Sequence, residues 1–130
     1  MKIKYNKMVQ IKNSCMKLKD KKLSIKTAYK LAKILKTVEE EDAFFREEYK
    51  KILDAYAEKD ENNNYVYTDE NKTNIKIQSA LVEEAQNKLF DLENLDIDFP
   101  DYSFTFEDFE KIDLSMDDLM GLVDFIKEDT

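Results

Sequence analysis

The sequence predicts an α+β protein that is mainly α: a long helical N-terminal half, then a small β-hairpin or strand with helices in the C-terminal half. Three observations point there. One Gly and one Pro in 130 residues leave few of the turn residues that sandwiches and barrels require. Apolar residues recur at three- and four-residue spacing through most of the first 60 positions, the period of a helix with one buried face. Two short stretches of the second half alternate apolar and polar residues, as half-buried strands do.

Met8, Ile11, Cys15 and Leu18 share one face of a first helix over residues 5–19, and the opening KIK reads alternatively as a short strand. Ser24 is placed to cap a second helix over 25–59. Ala28, Leu31, Leu35, Val38, Phe45, Tyr49, Ile52 and Tyr56 form its seam, with one defect at Asp42. A helix of that length spans about 50 Å, so it bends near Glu39–Asp42, projects as one arm of a hairpin, or pairs with a second copy along the 28–56 seam. Tyr65–Tyr67 and Ile75–Ile77 predict a hairpin around the polar loop 69–74. A third helix follows from Ser79, with Leu81, Ala85, Leu89 and Leu92 inside. Leu95, Ile97 and Phe99 alternate with Asp96 and Asp98 as a strand that Pro100 ends. Thr105 caps a short turn. Ser115 and Asp118 have capping-box spacing, and Leu119, Met120, Val123 and Ile126 are the predicted inner face of the last helix. Gly121 sits within it for close packing. The expected organisation is a basic-to-acidic helical region, 1–60, and an acidic α+β lobe, 61–130, in one folding unit.

The net charge of −8 is divided between two blocks. Residues 1–36 hold twelve Lys and one acid, whereas 37–130 hold nine basic and 28 acidic residues. Such asymmetry marks an interaction surface or two halves that attract each other. Twenty Lys against one Arg, with nine Asn and ten Ile, is the bias of an AT-rich genome, which weakens any argument from lysine counts. Arg is also the better bidentate phosphate ligand.

Much chemistry is excluded by composition. With no His the usual general base is missing, and neither a Ser-His-Asp nor a Cys-His arrangement can form. One Gly cannot build a phosphate-cradling loop. The single Cys15 forms no internal disulfide and is read as a small buried apolar residue. Asp60-x-Asn62-x-Asn64 begins like a calcium loop, but Tyr65 replaces the sixth-position Gly and Asn71 the twelfth-position Glu. No metal, no cofactor and no enzymatic activity are expected. No apolar run reaches membrane-spanning length, and Lys2 and Lys4 precede no signal-like apolar segment.

Two surfaces remain. Lys26, Lys30 and Lys33 share a helix face beside Tyr29, a candidate basic surface. Asp96, Asp98 and Asp101, with Asp117, Asp124 and Glu128 on the outer face of the last helix, form a candidate acidic partner surface. Rows of carboxylates at such spacing can imitate a phosphate backbone.

The segments KKLSIKTAYKLAKILK, FFREEYKKILDAYAEKDENNN and LSMDDLMGLVDFI resemble a family of small phage and prophage proteins known as a domain of unknown function. The shared pattern is a basic K-x-x-Y-K-L-A-K helix, a long charged helix ending near Y-x-E-K-D-E, and a closing L-S/T-x-x-D/E-L-M-x-L. Ala57 stands where that pattern has Gly at the end of the long helix. The resemblance implies a phage origin and offers no functional residues. By analogy of origin, the expectation is a cytoplasmic protein of the bacterial host that binds a host or phage protein. One form is an anti-CRISPR-like inhibitor of a nucleic-acid-handling defence system acting through the acidic surface. The alternatives are a virion-assembly chaperone or accessory protein, and a weak nucleic-acid binder using the Lys-rich half.

Overall fold

The structure, a computed structural model, describes residues 1–127. Helix accounts for 59% and strand for 11%, so the chain is mainly α with a small sheet. In order it forms β1 (Lys2–Lys4), α1 (Met8–Leu18), α2 (Ile25–Tyr56), α3 (Val82–Glu93), β2 (Asp96–Asp98) and α4 (Met116–Leu119). Short 3-10 turns lie at Tyr5–Lys7, Ser79–Leu81, Phe106–Phe109 and Met120–Phe125.

The chain packs as two compact units, and the boundary between them does not follow the boundary in charge. One unit joins Met1–Asp42 to the chain from Asp96 onward; the other is Ala43–Leu95. α2 remains helical through Glu39–Asp42 and contributes to both.

In the first unit, β1 and β2 pair antiparallel, with Lys2 opposite Asp98, Ile3 opposite Ile97 and Lys4 opposite Asp96. Only the middle residue of each strand is buried, which the period-two geometry of a strand dictates. α1 buries Met8, Ile11, Cys15 and Leu18 and packs on α4 and the Met120–Phe125 turn. Phe99 meets Phe125 edge-on at 5.7 Å, and Phe104 packs on Phe109 at 5.3 Å. A parallel bridge joins Phe104 to Ile126. There the Phe104 N–H donates to the Phe125 carbonyl at 2.8 Å, and the Lys127 N–H donates to that of Phe104 at 2.8 Å.

Ser24 caps α2 as its sequence position predicts: its Oγ accepts from the Thr27 N–H at 3.2 Å. The Ser24 hydroxyl also donates to Thr27 Oγ1 at 2.9 Å. That bond lets a threonine lie inside at low cost, and the buried seam of α2 is Thr27, Leu31, Ile34, Val38 and Phe45. The seam is rotated by one residue from the expected one at its start. Ala28 is exposed and Leu35 half-buried, while Tyr49 is exposed. Leu31, Val38 and Phe45, which the dimer alternative would place between two copies, are already buried in the single chain.

In the second unit the predicted hairpin is reduced to single-residue bridges, Tyr67 to Ile75, Lys59 to Tyr65 and Ala57 to Ile77. Three backbone groups close a ring: Glu58 N–H donates to Lys76, Lys76 to Val66, and Val66 to Glu58, at 2.8, 2.8 and 3.0 Å. Ala57 accordingly needs no left-handed geometry; among the described residues only Asn63 and Lys72 have positive φ. The chain leaves α2 directly into a bridge, and the Gln78 N–H satisfies the Tyr56 carbonyl at 2.9 Å, so no Gly is required. In α3 Ala85 is buried and Leu89 and Leu92 are half-buried, as is Leu81 in the 3-10 turn before it. Ser79 lies within a 3-10 turn and does not cap it.

The last helix departs most from expectation. Its capping box is present: the Ser115 N–H donates to Asp118 Oδ2 at 3.0 Å, and the Asp118 N–H to Ser115 Oγ at 3.3 Å. After Leu119 the chain winds as a 3-10 turn, with three residues per turn. Leu122 and Phe125, three apart, are therefore the buried positions. Met120 and Val123, expected inside on an α-helical period, face outward; Leu119 and Ile126 are half-buried.

Candidate functional site

The two charge blocks meet within the first unit. Lys2 pairs with Asp98 at 3.1 Å, Lys4 with Asp96 at 3.6 Å, Lys7 with Asp124 at 3.4 Å, and Lys17 with Asp118 at 3.8 Å. Lys12 lies 4.0 Å from Asp42. Each pair is solvent-accessible and contributes only about 0–1 kcal/mol, but together they change what the acidic residues present. Three expected members of the acidic surface, Asp96, Asp98 and Asp124, each face a lysine of the same chain. A phosphate-like row of unpaired carboxylates is absent at those positions. Asp101 and Asp117 are exposed and form no ion pair among the described residues. Glu128 lies outside the described residues. One sequence signal for this pairing existed: KIK at 2–4 and DID at 96–98 are complementary strand strings.

The expected basic surface is also partly engaged. Lys30 is half-buried; its Nζ donates to the Ser103 carbonyl at 2.7 Å and lies 5.5 Å from the centre of the Phe104 ring. Lys33 stands 5.5 Å over Tyr29. Lys26 is exposed and forms no ion pair among the described residues. Cation–π placement of this kind holds Lys30 and Lys33 against the protein surface, while Lys26 stands free of such a ring among the described residues.

Two other sequence features settle into structural roles. Burial pushes the Cys15 thiol up from 9.0 to about 12, which keeps it protonated and unreactive near neutral pH. Asp60 Oδ1 accepts from the N–H groups of Asn62 and Asn64 at 2.9 Å each, so the carboxylate organises its own turn. Among the described residues no group of three or more acidic, Cys or His side chains is gathered as a metal would require. Also among them, no helix is long and apolar enough to cross a membrane.

The site that sequence reasoning missed lies where the 3-10 winding turns the last helix. Phe106, Met116, Leu119, Met120, Val123 and Ile126 line an apolar groove of about 280 Å³. Phe106 is 55% exposed, Met116 78%, Met120 45% and Val123 56%, so they form an open rim around the half-buried Leu119 and Ile126. Burying such residues is favourable by about 25 cal/mol per Å², and a contiguous exposed apolar patch usually marks an interaction surface. Carboxylates adjoin it in sequence: Glu107 follows Phe106, Asp117 follows Met116 and Asp124 follows Val123. Asp118, at the start of the same helix, is held below the usual carboxylate range, first by the backbone N–H of Ser115 and then by its hydroxyl, with weaker help from Lys17 and Lys21.

Compared with protein-family models, curated proteins and solved structures, the chain finds no match.

Proposed function

We propose that this protein acts by binding another protein, without catalysis of its own, and that it is phage-encoded and works in the cytoplasm of the bacterial host. The observation that carries the reading is the exposed apolar groove between Phe106 and the Met116–Val123 face. A soluble chain that leaves two methionines, a phenylalanine and a valine together in water gains by covering them. The phage origin rests on the three sequence segments that resemble the phage and prophage family. The contact shifts from the expected carboxylate row to the groove, because Asp96, Asp98 and Asp124 are engaged with lysines. Inhibition of a host nucleic-acid-handling defence complex and service to virion assembly both need such a docking face.

An affinity pull-down of the tagged chain tests this, from uninfected and phage-infected host lysate, with and without nuclease. A stoichiometric protein that survives nuclease supports the reading. Its presence in uninfected lysate favours a host target, and its appearance only after infection favours assembly. Recovery of nucleic acid alone, or of nothing from either lysate, overturns it.

A further inference from the structure

We infer that the groove formed by Phe106 and the Met116–Ile126 segment takes a basic amphipathic helix of the partner protein. The inference rests on the protein-binding reading above and specifies the partner's chemistry.

Size and lining come first. At about 280 Å³ the groove lies just under the range of small-molecule pockets, roughly 300–1,000 Å³, and is suited to side chains. Its lining is apolar throughout, and two of its exposed members are methionines, whose unbranched thioethers repack around varied apolar anchors. Met116, Leu119, Met120 and Val123 come from one continuous helical segment, spaced three and four residues apart, and Phe106 from an earlier turn. That arrangement accepts anchors at i, i+3 or i+4, and i+7 of a helix laid along it.

An added strand is the wrong occupant, because the backbone beside the groove is already paired. The Phe104 N–H is donated to Phe125, and the Lys127 N–H to Phe104. Among the described residues, the bridge next to the groove, Phe104 to Ile126, already uses these groups.

Charge selects the partner's sign. Residues 101–127 hold eight acids against two lysines, and with Asp124 and Asp118 matched by Lys7 and Lys17 a net −4 remains. Glu107, Glu110, Asp113 and Asp117 are exposed and form no ion pair among the described residues. An apolar groove on an acidic segment, with Glu107 and Asp117 next in sequence to its lining residues Phe106 and Met116, complements a helix with Lys or Arg flanking its apolar face. The same acids repel an anionic membrane surface, which attracts basic segments. A second copy docked groove to groove would bring two acidic rims together.

The test uses the full chain and labelled peptides of about 18 residues, or five helical turns. The first carries Leu at helical anchor spacing and Lys elsewhere, the second Leu and Glu, and the third Ser and Lys. Fluorescence anisotropy should show saturable binding of the Leu/Lys peptide, at least about tenfold tighter than either control. Backbone NMR shifts should move at Phe106, Met116, Met120 and Val123. The double variant Met116→Ser, Met120→Ser should weaken binding about tenfold, while Asp96→Asn, Asp98→Asn should leave it unchanged. Equal binding of the Ser/Lys peptide, equal loss in the Asp96/Asp98 variant, or shifts mapping elsewhere would each overturn the inference. So would concentration-dependent dimerisation of the peptide-free chain that the methionine variant abolishes, since a second copy would then be the occupant. Pull-downs separate the two readings. A lysate partner captured equally by wild type and by the methionine variant removes the groove and leaves protein binding standing. Peptide binding at the groove without any lysate partner does the reverse.

Discussion

The backbone N–H of Gly121 donates to the buried Ser14 hydroxyl at 2.8 Å, bridging 107 residues of sequence. At this point the C-terminal turn lies so close to α1 that a Cβ on residue 121 would fall 2.1 Å from the Gln10 carbonyl oxygen and 2.6 Å from Ser14 Oγ. Backbone, unlike a flexible side-chain end, cannot yield cheaply. Gly121→Ala should therefore destabilise the protein by about 1–3 kcal/mol through overpacking. Ser14→Ala should cost a similar amount, about 1–3 kcal/mol, because it leaves a buried N–H without its acceptor. Urea unfolding of both variants checks this; a neutral Gly121→Ala would show that the two segments are not in such close contact.

The same contact explains what was and was not legible in the sequence. The α+β, mainly α class, the presence of α1 and α2, the Ser24 and Ser115 caps and the close-packing role of Gly121 follow from local spacing and are present, although α1 starts three residues after the expected position 5 and α2 ends three residues before the expected 59. The inner face of the last helix was not legible. Reading it required knowing that the chain, pressed onto α1 at Gly121, continues as a 3-10 turn, where an α-helical period of apolar residues points to the wrong side. The groove is hidden for the same reason: an α-helical period places its Met120 and Val123 in the core. The lysine partners of Asp96, Asp98 and Asp124 were not legible from periodicity because they lie up to 117 residues away, and helix and strand periodicity carry no information about such separations.

A pair of truncations reads that winding directly. Leu122 is fully buried, whereas Met120 is nearly half exposed. Leu122→Ala should cost about 2–5 kcal/mol, and Met120→Ala should stay within about 0.5 kcal/mol of wild type. Denaturant midpoints at unchanged slope would establish the contrast. The opposite order would restore the α-helical register.

Cys15 makes alkaline stability pH-dependent. In the unfolded chain the thiol ionises near its ordinary value of 9.0, while burial keeps the folded thiol neutral up to about 12. Below pH 9 both states hold the proton and the thiol contributes no pH dependence. Between those values only the unfolded chain releases it, so stability falls as pH rises, by up to about 1.4 kcal/mol per pH unit. Unfolding curves between pH 8 and 11 should be shallower in pH for Cys15→Ala than for wild type. Thiol reagents should react with native protein only slowly, and rapid modification at neutral pH would contradict the burial.

The ladder between β1 and β2 sets Lys2 against Asp98 and Lys4 against Asp96. Opposite charges directly across a strand pair contribute about 0.2–1 kcal/mol, and like charges destabilise. Asp98→Lys should lower stability by up to about 1 kcal/mol, with a loss that shrinks in high salt. Adding Lys2→Asp should recover most of it. If the double variant is no more stable than the single one, the facing charges are not coupled.

Asp117 and Asp98 are both exposed carboxylates, but they should behave differently in binding. Asp98 is matched by Lys2 at 3.1 Å, so its charge is compensated before any partner arrives. Asp117 adjoins Met116 at the groove and forms no ion pair among the described residues. A rim charge of this kind acts chiefly on the association rate and its salt dependence. Asp117→Lys should slow association of a basic Leu/Lys helix several-fold at low salt, with the difference fading as the Debye length falls from about 10 Å at 0.1 M to 3 Å at 1 M. The fold should survive, since surface substitutions away from buried features stay within about 0.5 kcal/mol. Asp98→Asn should leave the association rate near wild type. Stopped-flow association at several ionic strengths distinguishes the two. Equal slowing by both substitutions would mean that the whole acidic half attracts the helix diffusely, with no preference for the rim of the groove.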